Sequence, residues 1–325
     1  MSKVKWGVLG TAGIAKGCTI PGMKEAENCE LYAVAGRNIE KATAFKDEFG
    51  FEKAYGSYEE LLADENVQAV YIPLPNQLHY EWVKKALKAH KHVLCEKPLT
   101  PTAKEAEELY ATAKECGVLL MEAFAYLHSP YVSALKEEVA NNTIGKIKFV
   151  ETAFMTSDYD ISNIRMRKET CGGGIYDLGC YCTSMILSIL GKEPESVKAI
   201  ADMSEENVDK FATALLKYED DIRASFSCGM VFETEQEKRF DRLYIHGERG
   251  YIKSDAEYNQ AGEISYRVCV DGKETVKTVN AKSNYCLEVE QFGRCITDGE
   301  KIHVSEDFTL MNLRTLERIL KEAGY

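Results

Sequence analysis

Several features that would assign the chain to a narrow functional class are missing from its sequence. One is a surplus of positive charge: the 325 residues contain 40 Lys and Arg against 52 Asp and Glu, which gives a net charge of −12. No basic tract offsets this balance. Because nucleic-acid backbones and anionic membrane surfaces are bound through clustered Lys and Arg, we expect neither as the main partner. Small molecules and other proteins remain.

Long apolar runs and a cysteine framework are missing as well. No apolar stretch approaches the ~18 residues of a membrane span, and no basic segment followed by an apolar one opens the chain. The eleven cysteines are scattered, and Cys180 and Cys182 lack a second Cys/His pair at ligand spacing. We therefore expect buried thiols, no metal site and a reducing compartment, the cytoplasm.

The first 123 residues alternate short apolar runs with helical patterns. The strand-like runs are 5–9, 31–35, 67–72, 92–95 and 118–121. The helix-like segments between them lie at about 15–27, 38–49, 58–63, 78–89 and 102–116. This alternation predicts an α/β fold with a Rossmann-type, doubly wound parallel sheet, in which ligands bind at the carboxyl ends of the strands.

Beyond residue 123 the pattern changes to strands in succession. The runs are 148–154, 196–201, 211–218, 222–227, 242–246 and 265–270. Two clear helices accompany them, at about 175–190 and 307–323, and the charged segment 233–242 is predicted to be a solvated hairpin loop. We expect an α+β domain over 124–325 with a large, mostly antiparallel, open-faced sheet, whose last helix packs back on the first domain. The uncovered sheet face predicts a homodimer or homotetramer.

The turn after the first strand resembles a dinucleotide-binding fingerprint. Gly10, Gly13 and Ala15 stand in the spacing Gly-x-x-Gly-x-Ala, where a strand gives way to a helix. Gly10 permits the tight turn, Gly13 lets backbone N–H groups approach a pyrophosphate, and Ala15 permits close packing of the helix. The predicted pyrophosphate-binding residues are Gly10, Thr11, Ala12, Gly13 and Ile14.

The end of the second strand distinguishes between the two nicotinamide cofactors. NAD-binding chains usually place Asp or Glu there for the ribose 2′-hydroxyl, but this chain has Arg37, with Lys41 one turn into the following helix. A guanidinium pairs with a 2′-phosphate through two hydrogen bonds, so the sequence favours NADP over NAD and makes 1–123 the NADP-binding domain. The alternative is that Arg37 is an ordinary surface charge.

Two further segments follow later strands of the predicted sheet. Pro75, Asn76 and His79 come after the third apolar run, and Glu96 and Lys97 end the fourth, where a nicotinamide ring would lie. All five are predicted to contact the cofactor. The alternatives are that Asn76 is a helix N-cap and that the neighbouring Glu and Lys form a solvated pair.

Together these segments resemble the glucose-fructose oxidoreductase, inositol dehydrogenase and MocA family over the whole chain. The resemblance also rests on Glu96-Lys97-Pro98, Glu122-Ala123-Phe124, Asn163-Ile164-Arg165 and the run GGGIYDLGCY at 172–181. Tyr181 stands where inositol dehydrogenases carry His. Together with Arg37 and the Asn163-Ile164-Arg165 segment, this tyrosine makes the chain resemble one branch of the family. That branch holds glucose-fructose oxidoreductase, D-xylose 1-dehydrogenase and dimeric dihydrodiol dehydrogenase, and it generally uses NADP.

The resemblance implies hydride transfer between NADP(H) and a carbinol or carbonyl carbon of a sugar or polyol-like substrate. In the family, the lysine at the position of Lys97 contacts the reacting oxygen and the nicotinamide ribose, and the residue at Tyr181 is the acid/base candidate. Asp177 lies four residues earlier on the same helix face and completes the catalytic set. The alternative for Tyr181 is a core aromatic whose hydroxyl bonds to the backbone.

Three residues are expected to contact the substrate, in the domain over 124–325 that also serves oligomerisation: Tyr126, Arg165 and Gly174. Arg165 would clamp a substrate oxygen, and the glycines at 172–174 would leave room at a helix N-terminus. The alternatives are a surface ion pair for Arg165 and a flexible loop for the glycines. The chain departs from the family at Leu127, where a basic residue is usual, which leaves substrate recognition there open.

Other functions remain open at this point. A trans-dihydrodiol dehydrogenase or an anhydrosugar reductase would use the same chemistry on another substrate. A glycosidase that uses bound nicotinamide for transient oxidation would share the fold. A non-catalytic NADP(H)-sensing protein would share it too, but it has no need of Lys97, Asp177 and Tyr181.

Overall fold

The computed structural model describes residues 2–157, 159–231 and 238–325. The chain divides into one compact unit formed by Met1–His128 and Lys282–Leu310 and a second formed by Ser129–Ala281 and Met311–Tyr325. The first unit thus takes in a later segment that we did not predict. The functional division into 1–123 and 124–325 stays a prediction.

The helices and strands have the following bounds in the described residues. The α-helices are α1 (Ile20–Glu25), α2 (Ile39–Phe49), α3 (Tyr58–Ala63), α4 (His79–Lys88), α5 (Ala103–Cys116), α6 (Pro130–Ala140), α7 (Cys180–Leu190), α8 (Asn284–Asp298) and α9 (Glu306–Ala323). The strands are β1 (Val4–Leu9), β2 (Cys29–Ala35), β3 (Lys53–Tyr55), β4 (Ala69–Ile72), β5 (His92–Glu96), β6 (Leu120–Ala123), β7 (Ile147–Thr156), β8 (Ser196–Met203), β9 (Asp209–Lys217), β10 (Arg223–Gly229), β11 (Arg239–Gly247), β12 (Gly250–Ser254), β13 (Gly262–Val270) and β14 (Lys273–Ala281).

The first unit contains a six-stranded sheet in the order β3-β2-β1-β4-β5-β6. Each neighbouring pair is parallel, as predicted for a doubly wound sheet. The strand order reverses between β1 and β4, and in such sheets the ligand crevice lies outside the carboxyl ends of the strands at that point. Its core includes Trp6 of β1, whose ring lies 5.8 Å from the ring of Phe292 in α8.

The second unit contains an eight-stranded sheet in the order β14-β13-β12-β11-β7-β10-β9-β8. The strands pair antiparallel except for β7 and β10, so the prediction of a mostly antiparallel sheet is confirmed. One face is buried, since α6 packs against β14 and α7 against β7 and β10. Apolar side chains such as Leu243 and Ile245 alternate onto that face with a period of two.

Several element predictions need correction. After residue 123 the described chain contains four α-helices, α6 to α9, rather than two. The strands β3, β12 and β14 were not predicted; β3 has three residues, and β14 is exposed along most of its length, so it lacks an apolar period. Of the predicted loop 233–242, residues 233–237 lie outside the described residues. The prediction of a loop is wrong for residues 239–242, since β11 begins at Arg239.

The eleven cysteines are all described and are thiols, eight of them buried. Within the described residues, no group of three or more His, Cys, Asp or Glu is arranged to hold a metal ion. One stretch, Lys168–Leu190, is long and apolar enough to cross a membrane by length and composition, although 72% of its most apolar window is buried inside the protein. A buried core helix meets the same criteria of length and composition, so this stretch is weak evidence for a membrane span.

Candidate active site

The predicted nucleotide turn leaves the carboxyl end of β1 in the first unit. Gly10 has φ +119°, a backbone conformation that side-chain-bearing residues rarely adopt, and its N–H donates to the carbonyl of Ala35 at 2.8 Å. A Cβ added at Gly10 would lie 3.2 Å from Cδ2 of Leu74. The turn is therefore tight, as the fingerprint requires.

Gly13 supplies the open side of this turn. It is exposed, and a Cβ added to it would meet no described atom within 4 Å. Ala15 is buried and begins a π-helical turn, Ala15–Thr19, that runs into α1. A bare backbone at the start of a helical segment attracts anions through its free N–H groups. These residues fit the pyrophosphate of a dinucleotide.

Arg37 and Lys41 lie exposed at the carboxyl end of β2 and in the first turn of α2. Arg37 forms no ion pair with any residue that the structure describes. Its charge reaches Tyr58, where it opposes the rise in the Tyr58 pKa that burial causes. The Tyr58 hydroxyl would lie 3.7 Å from a Cβ at Gly10. The charge of Arg37 therefore influences a side chain that lies next to the nucleotide turn. This arrangement fits a 2′-phosphate.

The loops that follow β4 and β5 are joined by His79. Its ring is fully buried, with Nε2 2.7 Å from the carbonyl of Leu74 and Nδ1 2.9 Å from the carbonyl of Pro98. Burial lowers the pKa of His79, and the two carbonyl contacts oppose this effect without overcoming it. Pro75 takes the cap position of the 3₁₀ turn that starts at Asn76, so Asn76 is not its N-cap.

Glu96 and Lys97, at the end of β5, are half-buried. The Glu96 carboxylate accepts a hydrogen bond of 2.6 Å from the Tyr71 hydroxyl, which in turn accepts one of 2.8 Å from Thr19. Glu96 is therefore held by the sheet of the first unit rather than being a freely solvated partner of its neighbour. This contact fixes the backbone from which Lys97 extends.

Glu122 of β6 is a functional candidate whose role the sequence did not reveal. Its side chain is fully buried, and Oε1 accepts a hydrogen bond of 2.9 Å from the N–H of Leu99, two residues after Lys97. Burial raises the pKa of Glu122 to about 7, and the Lys97 charge is among the influences that oppose the rise. The available signal was a carboxylate in an otherwise apolar strand.

Asp177 and Tyr181 lie in the second unit, on the helical segment that begins with the π-helical turn Ile175–Gly179 and continues as α7. Asp177 is ion-paired with Arg165, with 2.9 Å between Oδ2 and Nε. The Asn163 side chain accepts the N–H of Arg165 at 3.0 Å and so shapes this turn. Arg165 therefore forms an ion pair with a candidate catalytic carboxylate.

Tyr181 is half-buried within a group of aromatic rings. Its ring centroid lies 5.4 Å from that of Phe154 and 5.3 Å from that of Tyr258. The Arg239 guanidinium stacks on Phe154 at 4.4 Å and interacts electrostatically with Tyr181. Arg239 is itself fixed by Asp241, with 2.6 Å between Nε and Oδ2. The rings pack around Tyr181 and leave it half-buried, and its role as the acid/base stays a prediction.

The glycines before this helical segment are closely packed. Gly173 has φ +113°, and a Cβ there would lie 2.4 Å from both Oδ1 of Asp209 and the hydroxyl of Tyr325. A Cβ at Gly174 would lie 2.9 Å from Oδ2 of Asp209. Protein atoms therefore fill the space that we expected the glycines to leave for a ligand. Substrate contact by Gly174 stays a prediction.

Tyr126 and its neighbours are buried in the first unit. The Tyr126 ring, 2% exposed, stands perpendicular to Phe124 at 6.1 Å. Leu127 is buried too, which suits an apolar side chain in place of the family's basic residue. His128 packs at 4.8 Å against His303, and burial holds the His128 pKa well below its usual value. A substrate contact by Tyr126 stays a prediction.

Both parts of the chain match models of known protein families. Residues 4–124 match an oxidoreductase family with an NAD-binding Rossmann fold, GFO/IDH/MocA, and residues 132–253 match the GFO/IDH/MocA C-terminal domain. The chain belongs to the GFO/IDH/MocA family. The predicted resemblance, the α/β fold and the oxidoreductase class are thereby confirmed.

Individual members of the GFO/IDH/MocA family are similar over most of the chain. D-xylose 1-dehydrogenase (NADP(+)) 2 of Haloferax volcanii is 34% identical over 323 residues, which cover 98% of this chain and 97% of the relative. Trans-1,2-dihydrobenzene-1,2-diol dehydrogenase of Mus musculus is 35% identical over 252 residues, 76% of this chain and 73% of the relative.

A solved structure of the family extends this similarity to the fold. The 3-ketoreductase KijD10 from Actinomadura kijaniata, in complex with NADP and TDP-benzene, superposes with a TM-score of 0.92 at 27% identity. The match covers 99% of this chain and 98% of that one. The roles of individual site residues in the chain described here stay predictions.

Proposed function

We propose that this member of the GFO/IDH/MocA family is an NADP-dependent oxidoreductase. It transfers hydride between NADP(H) and a carbinol or carbonyl carbon of a sugar or polyol-like substrate, as an aldose 1-dehydrogenase does. The observation that carries the proposal is the open nucleotide turn at Gly13 beside an exposed Arg37 that pairs with no described carboxylate. The Haloferax relative, whose name specifies NADP(+), supports the choice of cofactor.

The cofactor-binding residues belong to the first unit. The turn 10–14 holds the pyrophosphate through backbone N–H groups, and Arg37 with Lys41 holds the 2′-phosphate. Pro75, Asn76, His79 and Glu96 shape the loops nearest the nicotinamide. When bound, NADP(H) supplies the hydride donor or acceptor.

Tyr181 and Lys97 handle the substrate oxygen and its proton. In the oxidative direction the Tyr181 phenolate accepts the hydroxyl proton, and in the reductive direction the phenol returns it. Lowering a tyrosine pKa by three units requires about 4 kcal/mol, and one cation at about 4 Å with an effective dielectric constant of about 20 supplies an energy of that size. In the family, the lysine at the position of Lys97 contacts the reacting oxygen, and we assign that contact to Lys97.

Asp177 and Arg165 support the phenol. Arg165 pairs with Asp177, which lies one turn before Tyr181 on the same helical segment. We assign to this carboxylate the role of orienting the phenol and passing its proton toward solvent. Arg165 thus acts through Asp177, and a direct contact of Arg165 with a substrate oxygen stays a prediction.

Fluorescence titration with NADPH and NADH, followed by turnover assays at the nicotinamide absorbance, tests this function. The substrate panel consists of aldoses, 1,5-anhydrofructose and trans-dihydrodiols, the last because of the mouse relative. We expect tighter binding of NADPH and turnover of an aldose. Turnover restricted to trans-dihydrodiols selects that alternative, and tight binding without any turnover selects an NADP(H) sensor.

The second unit also supports self-association. The uncovered face of its sheet exposes large apolar side chains, among them Ile200 (80% exposed), Leu215 (61%) and Val276 (64%). We propose a homodimer or homotetramer that covers this face. Light scattering should give a multiple of 36.5 kDa, and a mass near 36.5 kDa itself contradicts the proposal. The thiol state of all eleven cysteines supports a reducing compartment, the cytoplasm.

A further inference from the structure

The helical segment that carries Asp177 and Tyr181 is held at its start by a residue far along the chain. Asp209, the first residue of β9, is fully buried, and Oδ2 accepts the N–H of Ile175 at 2.9 Å. The N–H of Gly174 is also bonded to this carboxylate. A carboxylate there satisfies donors that the start of a helix leaves without partners and interacts favourably with the helix dipole.

Asp209 is in turn bonded to Tyr325. The Tyr325 hydroxyl donates to Oδ1 of Asp209 and accepts the Asp209 N–H at 2.7 Å. Its ring lies 6.4 Å from that of Tyr176, nearly perpendicular to it, within the turn that Asp209 caps. Tyr325 therefore contacts both the capping carboxylate and the capped turn.

Gly173 connects these residues to the Arg165–Asp177 ion pair. Its carbonyl accepts the N–H of Asp177 at 3.0 Å, and its own N–H donates to the carbonyl of Arg165 at 2.7 Å. Any side chain at Gly173 would collide with Asp209 and Tyr325. The contacts thus run without a gap from Tyr325 through Asp209 and Gly173 to both members of the ion pair.

We propose that Asp209 and Tyr325 are positioning residues that set Asp177 and Tyr181 in place for proton transfer. This proposal rests on the proposed function, and we call the two residues the Asp209–Tyr325 clamp. Neither touches the reacting atoms in this scheme. A shift of about 1 Å in a catalytic group costs on the order of 10²-fold in rate, so a positioning role is measurable.

The test uses Tyr325→Phe, which keeps the ring and removes the hydroxyl, and Asp209→Asn, which keeps the shape and removes the charge. Tyr80→Phe is the matched control, because the Tyr80 hydroxyl also donates to a carboxylate, that of Glu108, at an exposed site of the first unit. Amide hydrogen exchange over 174–177 is followed by mass spectrometry in each full-length protein. Steady-state kinetics with NADP⁺ and the aldose, unlabelled and deuterated at C1, follow.

We expect both clamp variants to exchange these amides about 10-fold faster and to lower kcat about 10- to 100-fold, with KM and the NADPH dissociation constant within about twofold. The isotope effect on kcat should rise, because hydride transfer is coupled to proton transfer at Tyr181 and becomes slower than product release. A purely structural defect lowers the active fraction and leaves the isotope effect unchanged. Tyr80→Phe should behave like the unsubstituted chain.

Unchanged amide exchange in Tyr325→Phe overturns the clamp, as does faster exchange with an unaltered kcat and isotope effect. If Asp209→Asn does not fold, Tyr325→Phe decides alone. A wild-type chain that turns over no substrate of the panel contradicts the proposed function instead. The exchange measurement still decides in that case whether the clamp orders the turn.

Discussion

Arg37 is the residue on which the choice of cofactor depends. It is exposed next to the nucleotide turn and pairs with no described carboxylate, so its guanidinium is available to a 2′-phosphate. Hydrogen bonds to charged groups contribute about 1.5–3 kcal/mol, so Arg37→Ser should weaken NADPH binding about 10- to 100-fold. NADH lacks the phosphate, and its affinity should change less than twofold. Fluorescence titration measures both.

Arg267→Ser is the control for this substitution, since Arg267 is an exposed arginine on β13 of the other unit. It should leave both dissociation constants unchanged. An equal loss of NADPH and NADH affinity in Arg37→Ser would show that the guanidinium does not bind the 2′-phosphate.

Arg165 and Asp177 form a pair whose coupling is open to measurement. If Arg165 acts through Asp177, Arg165→Gln lowers kcat/KM in the wild-type chain but changes it less than about twofold when Asp177 is already Asn, because the interaction has been removed. A double-mutant cycle of four proteins measures this coupling. A substrate clamp would instead raise KM by the same factor in both backgrounds.

At the scale of elements, Glu122 connects β6 to the loop that carries Lys97. Burial raises the pKa of Glu122 from its ordinary 4.5 to about 7. Because the folded chain holds this proton more tightly than the unfolded chain, the stabilising contribution is fully present below about pH 4.5 and is lost as the pH rises through about 7. Glu122→Gln, which stays neutral, lacks this dependence.

Urea unfolding at pH 5 and pH 8 tests the pH dependence. The free energy of unfolding of Glu122→Gln, relative to wild type, should rise by roughly 3 kcal/mol between the two values. Comparison at each pH removes the contributions of other titrating groups, which the two proteins share. Glu115→Gln, at an exposed position of α5, serves as the control and should show no such rise. Parallel profiles for all three proteins would exclude a buried, titrating Glu122.

The strands of the first sheet that the sequence predicts are those with a nearly continuous apolar run. The strands β1, β2, β4, β5 and β6 are buried runs of this kind. Helix α8 was not predicted because its buried face includes Asn284, Glu288 and Gln291, which obscure the apolar stripe. Strand β14 was missed because six of its nine side chains are exposed in succession.

The residues of the candidate site likewise fall into two groups, those whose roles depend on local sequence and those whose contacts depend on tertiary packing. Gly10, Gly13 and Arg37 are predictable because their roles depend on a local turn and on the end of one strand. Asp209 is 34 residues from Ile175, and Tyr325 is 116 residues from Asp209, so their contacts arise only from tertiary packing. The partner of Arg165 was likewise not predictable, since the sequence offers many carboxylates and only folding selects Asp177.

At the scale of the whole molecule, the residues proposed for cofactor binding and for proton transfer lie in different compact units. The residues proposed to bind NADP(H) belong to the unit that contains the parallel sheet, whereas Tyr181 belongs to the other. A substitution at Tyr181 should therefore separate binding from turnover. The two family models likewise match separate parts of the chain, residues 4–124 and 132–253.

The most direct test of the central claim is to measure NADPH affinity and kcat on the same preparation of Tyr181→Phe, beside wild type and Tyr80→Phe. Removing a general acid/base should lower kcat about 10²- to 10⁴-fold, while the dissociation constant of NADPH stays within about twofold of the wild-type value. A Tyr181→Phe protein that turns over at a near-normal rate would contradict the account.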